Sequence, residues 1–163
     1  MSFYFKIASQ MPISGAILLQ EIGRSDVEIA QEETDEDGIL TFAFLEYPGK
    51  STRVVTVATH PKHGIEIGVN AFATQDDAHL CLDTTCAVAR VTKEQIQAES
   101  GEIATDKELM DALPVNWVGQ RVKEGEVLVQ MAREEMDEPL TVIGSRHPYT
   151  VTRDYIDARG TGL

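Results

Sequence analysis

Basic residues are scarce in this sequence. Lys and Arg number 14 against 27 Asp and Glu, a formal charge of −13 over 163 residues. A surface of that balance repels nucleic-acid phosphates and anionic membrane and attracts cations, so direct nucleic-acid binding and membrane binding are disfavoured. Long apolar runs are missing as well, and none approaches the roughly 20 residues of a membrane-spanning helix. Met1-Ser2-Phe3-Tyr4 leads straight into alternating apolar residues without a basic segment, an apolar core or a small-residue cleavage site, so no export signal is read. Cysteine is limited to Cys81 and Cys86. Their spacing, in a segment that reads as helix, turns them to different faces and prevents a mutual disulfide. These absences make a reducing cytoplasm the expected compartment.

What is present suits a folded globule: 42% of the residues are hydrophobic, and the length fits one domain over residues 1–163, with 114–163 as a candidate C-terminal subregion. Phe3-Tyr4-Phe5-Lys6-Ile7 alternates with the period of a strand. Ile13, Ile17, Leu18 and Ile22 recur at helical spacing, between Pro12 and Gly23. Val27–Ala30, Ile39–Tyr47, Thr52–Thr59 and Ile65–Ala71 are rich in β-branched or aromatic residues and divided by short turns, as in an antiparallel meander. Thr74 and Asp77 form a capping-box start for a helix to about Val91, with Ala78, Cys81, Leu82, Thr85, Val88 and Ala89 as its buried stripe. A hairpin around Ser100-Gly101 and a short helix capped by Asp106 follow. Glu126–Arg133, Leu140–Ile143 and Tyr149–Thr152 read as three further strands, and Arg153–Arg159 as a terminal helical turn. The expected fold is α+β, an antiparallel sheet with helices packed on one face.

Several stretches resemble chemical motifs and fail on inspection. Gly49-Lys50-Ser51 has the end of a phosphate loop, but Phe44 stands where that loop needs glycine and a strand follows where it needs a helix. His60 and His63 flank a turn without the third or fourth ligand that zinc requires. His79 and His147 stand alone, without a nucleophile or carboxylate at a recognisable spacing. Val118–Val129 is similar to the turn and strand of lipoyl and biotinyl carrier domains, yet no lysine stands at the matching hairpin tip, and a generic strand-turn-strand covers it. No catalytic residue, metal ligand or cofactor is assigned.

The acids carry the remaining signal. Gln31-Glu32-Glu33-Thr34-Asp35-Glu36-Asp37-Gly38 lacks the alternating oxygens and flanking helices of a calcium loop. One reading is a solvated hairpin loop whose charges keep a strand edge from pairing. The run recurs in kind at Glu134-Glu135-Met136-Asp137-Glu138, read as a second acidic turn between strands, and at Asp76-Asp77. Like charges at that density oppose folding, and capture of a basic protein gives them a use.

The order of strand, helix opening near Met11-Pro12-Ile13-Ser14, meander, Val69–Ala78 leading into a helix, and the Ile96–Glu102 hairpin resembles small cytoplasmic immunity proteins of bacterial polymorphic-toxin and contact-dependent systems, over residues 1–113. The resemblance implies a non-enzymatic protein that binds a cognate toxin domain and covers its active site. It carries over no residue roles. The acids Glu32, Glu33, Asp35, Glu36, Asp37, Asp76, Asp77, Glu134, Glu135, Asp137 and Glu138 are the candidate partner-binding groups, with Tyr47, Trp117 and Tyr149 as candidate anchors. Two rivals remain open: an anti-defence protein of phage or plasmid that mimics nucleic acid with spaced carboxylates, and a small enzyme or ligand-binding domain drawing on His60, His63 and Glu66.

Overall fold

Burial alternates along Phe3–Ile7 (β1): Phe5 and Ile7 are inside, Tyr4 and Lys6 outside, as on a strand with one covered face. In the computed structural model, which describes residues 3–51, 53–70, 73–135, 140–143 and 148–151, this strand lies within a seven-stranded antiparallel sheet. The chain continues through α1 (Gly15–Ile22), β2 (Glu28–Thr34), β3 (Leu40–Glu46), β4 (Val55–His60), β5 (Gly64–Val69) and α2 (Gln75–Thr92). Then come β6 (Ile96–Gln97), β7 (Ile103–Ala104), α3 (Leu109–Ala112), α4 (Trp117–Glu135), β8 (Leu140–Ile143) and β9 (Pro148–Val151). Strand order is β2-β3-β4-β5-β1-β6-β7, and β8 and β9 form a separate two-stranded sheet. The fold is α+β.

Register shows which face is covered. Phe5, Ile67, Val57, Ala43 and Glu32 stand in one cross-strand row, and Val69, Val55, Leu45 and Ile29 in the next. Apart from Ile29 and Glu32 at the edge, these side chains are buried, and α1 and α2 pack over them. Ser14 caps α1 by accepting from the Ile17 N–H, and Gly23 ends it at φ +70°. Gly64 has φ +84°, and a Cβ there would collide with the Ile7 carbonyl oxygen, so the β4–β5 turn needs glycine to lie against β1.

Helix α2 begins with the expected capping box, in which Thr74 Oγ1 accepts from the Asp77 N–H and the Asp77 carboxylate from the Thr74 N–H. All six residues of the expected stripe are buried, and so are Leu80, Thr84 and Ala87, because α2 meets the sheet, α1 and α4. Cys81 and Cys86 are free thiols, and burial pushes the Cys81 thiol up to about 12.

Three expectations are corrected. Val118–Val129 is not a strand-turn-strand but helix, within α4. Glu126–Arg133 is not a strand but part of α4, whose Trp117 packs on Phe5 with ring centroids 5.7 Å apart and whose Arg121 and Glu124 pair at 2.6 Å. Asp106 does not cap α3: Glu108 holds the cap position, and its carboxylate accepts from the Thr105 N–H and hydroxyl rather than from the helix. The expected turn at Arg153–Arg159 lies outside the described residues. Among the described residues, no helix is long and apolar enough to cross a membrane.

Candidate functional site

The acidic stretch is divided between two structures. Gln31–Thr34 belongs to β2, and Asp35–Gly38 makes the turn into β3, with every residue from Gln31 to Gly38 exposed. Asp35 shapes the turn: its Oδ1 accepts from the N–H groups of Asp37 (3.0 Å) and Ile39 (2.8 Å), and Gly38 follows at φ +76°. Glu36 and Asp37 are left at the tip.

Strand β2 is a sheet edge with two irregularities, between Ile29 and Gln31 and between Glu33 and Thr34. The first decides which acid faces which way. Beyond Ile29, paired with Leu45, the extra residue lets Glu32 pair with Ala43 on the helix side and Glu33 with Phe42 on the other. Glu32 therefore reaches the first turn of α1, where a Cβ on Gly15 would stand 2.5 Å from its Oε2. That turn contains no acid of its own, so Glu32 complements its free N–H groups.

Ion pairing divides the acids further. Glu21 and Asp106 flank Arg90 at 2.5 and 3.8 Å, Asp26 and Asp83 flank Arg24 at 3.1 and 3.5 Å, and Glu66 meets Lys6 at 3.0 Å. The bond from Arg24 holds the Asp26 carboxyl below its ordinary range, and the bond to Glu21 raises the Arg90 guanidinium. Glu32, Glu33, Asp35, Glu36 and Asp37 take part in no ion pair among the described residues.

The remaining candidates are scattered. Asp76 is exposed in the first turn of α2, but Asp77 is fully buried and so is removed from any contact surface. Tyr47 and Trp117 are core residues at 3% exposure each, not exposed anchors. Arg24 covers the Tyr47 ring at 4.9 Å, and burial raises the Tyr47 phenol above its ordinary range. Glu134 and Glu135 end helix α4 rather than forming a turn between strands, while Asp137 and Glu138 lie outside the described residues. Tyr149 lies in β9. His60 Nε2 is 3.9 Å from Glu66 Oε2, and His63 is exposed in the β4–β5 turn. Among the described residues, no three His, Cys, Asp or Glu side chains gather as a metal site would require.

One surface escapes a reading of the sequence alone. Phe42 and Phe44 lie on the sheet face away from the helices, in edge-on contact with centroids 4.7 Å apart, with Glu33 opposite Phe42. The alternation of Phe42 and Phe44 with buried Ala43 and Leu45 is the signal that could have revealed it, since a strand apolar on both faces has apolar groups to spare. No family model, curated protein or solved structure matches this chain.

Proposed function

We propose that this chain is a non-enzymatic immunity protein, which binds a cognate toxin domain of basic surface and neutralises it by covering its active site. The observation that carries this reading is the unequal treatment of the acids. Arg24, Arg90 and Lys6 neutralise carboxylates elsewhere in the fold, while the β2–β3 hairpin holds five acids within six residues, Glu32, Glu33, Asp35, Glu36 and Asp37, with no cation paired to them among the described residues. Their repulsion opposes folding, and a basic partner relieves it. At the rim of an interface such charges act at long range on the encounter, before any contact forms.

The test uses the protein captured by this chain from its source organism, purified and measured kinetically across a salt series. Glu32 and Asp35 have tasks within the fold, so the informative substitutions are Glu33→Gln, Glu36→Gln and Asp37→Asn together. Association should slow by roughly tenfold at low salt and lose most of its salt dependence, with dissociation nearly unchanged. An unaltered association rate would make the hairpin merely solvated and remove the ground for a basic partner.

A further inference from the structure

Twice among the described residues an arginine lies over an aromatic ring while a carboxylate holds its guanidinium. Arg24 stands 4.9 Å from the Tyr47 centroid, and its Nε and Nη2 donate to Asp26, each at 3.1 Å. Arg121 stands 5.7 Å from the Trp117 centroid and pairs with Glu124 at 2.6 Å. The arrangement combines attraction to the ring face with directed hydrogen bonds, and it suits a flat guanidinium better than a compact ammonium.

A third pairing of rings and carboxylate has no cation of its own among the described residues. Phe42 and Phe44 meet on the sheet face away from the helices, and Glu33 is the direct cross-strand partner of Phe42. Cross-strand partners have Cβ atoms about 4.5–5.5 Å apart, so the Glu33 side chain starts beside that of Phe42 and its carboxylate is within reach of a cation on the ring. On the opposite flank Phe42 and Phe44 pair with the small Ala58 and Thr56, and both rings are half-buried, so a guanidinium would meet their exposed parts. Glu66, one strand further, is already held by Lys6 at 3.0 Å with His60 at 3.9 Å, whereas Glu33 has no ion pair among the described residues.

We infer that Phe42, Phe44 and Glu33 form a receptor for an arginine side chain presented by the partner protein. The guanidinium stacks on the rings and donates to Glu33. This rests on the reading of the chain as a binder of a basic protein and gives the chemistry at the centre of that contact. Charge complementarity selects the occupant. A neutral apolar surface would strip water from Glu33 and leave it unpaired, and a second copy in a two-fold contact would set like surfaces of −13 chains against each other.

The experiment titrates the whole chain, followed by amide correlation spectra, with acetyl-Gly-Arg-Gly-amide and in parallel with its lysine counterpart. Shifts should centre on Glu33, Phe42, Phe44 and Ala58, with the arginine peptide bound about two- to fivefold more tightly. Glu33→Gln and Phe44→Leu should each remove that preference, with melting temperatures confirming that the variants fold. Should Phe44→Leu not fold, the exposed Glu33→Gln decides alone. Equal affinity for the two peptides, or shifts centred on Glu36 and Asp37 with both, would overturn the arginine receptor and leave the basic-partner reading standing. Changes in the same resonances on concentrating the chain alone would assign the face to a second copy and overturn it as well. No response to either peptide anywhere would end both readings.

Discussion

Asp77 has no exposed surface, and its Oδ2 accepts from the backbone N–H groups of Thr74 at 2.9 Å and Arg53 at 3.2 Å. A carboxylate so placed joins the start of α2 to the loop before β4. Asp77→Ala would leave two backbone donors without this acceptor and remove half of the capping box, at a cost of about 2–4 kcal/mol. Asp77→Asn keeps one acceptor oxygen and should cost less; urea midpoints of the two variants check the order. The capping box itself is legible in Thr74 and Asp77, because it is local. The burial of Asp77 is not, because it depends on Arg53, which is brought up by the sheet rather than by neighbours in the chain. Tyr47 teaches the same lesson, drawn inward and covered by Arg24, which no local spacing announces.

At the scale of elements, β1, the meander, α1 and α2 follow patterns that are strong within a few residues: alternation, caps, and glycine at turns. Helix α4 does not. Val127-Leu128-Val129 favours a strand by propensity, and the residues that turn inward, Trp117, Arg121 and Gly125, recur at helical spacing without being uniformly apolar. Packing on α2 and on Phe5 outweighs the local preference. Glu126→Pro, at an exposed position within α4, should therefore cost about 3 kcal/mol and lower helical ellipticity. Unchanged ellipticity and stability would return this segment to the strand first expected. On β2 the expected strand at Val27–Ala30 is found, but the acidic composition hides its continuation to Thr34, and the irregularity after Ile29 puts Glu33, rather than Glu32, opposite Phe42. A shift of one residue reverses the face of every side chain beyond it, so no reading of composition finds that pairing.

For the whole molecule the unpaired acids of the hairpin should appear as a salt effect. Unscreened repulsion reaches about 30 Å at 10 mM salt and about 8 Å at 150 mM, so the melting temperature should rise between these conditions. Combined Glu33→Gln, Glu36→Gln and Asp37→Asn should raise the low-salt value and shrink the rise. An identical salt response in thermal melts of both proteins would locate the repulsion elsewhere. The position of β1 has a different consequence, for synthesis. It leaves the ribosome before β2, β3 and β4, yet its neighbours in the sheet are β5 and β6. Elongation at roughly 5–20 residues per second keeps Phe5 and Ile7 waiting several seconds before β5 has been made. During that interval the meander can begin to form without them, while β1 is exposed to chaperones and to other chains. Faster translation of the first half should shorten this window and improve the yield of correctly folded protein.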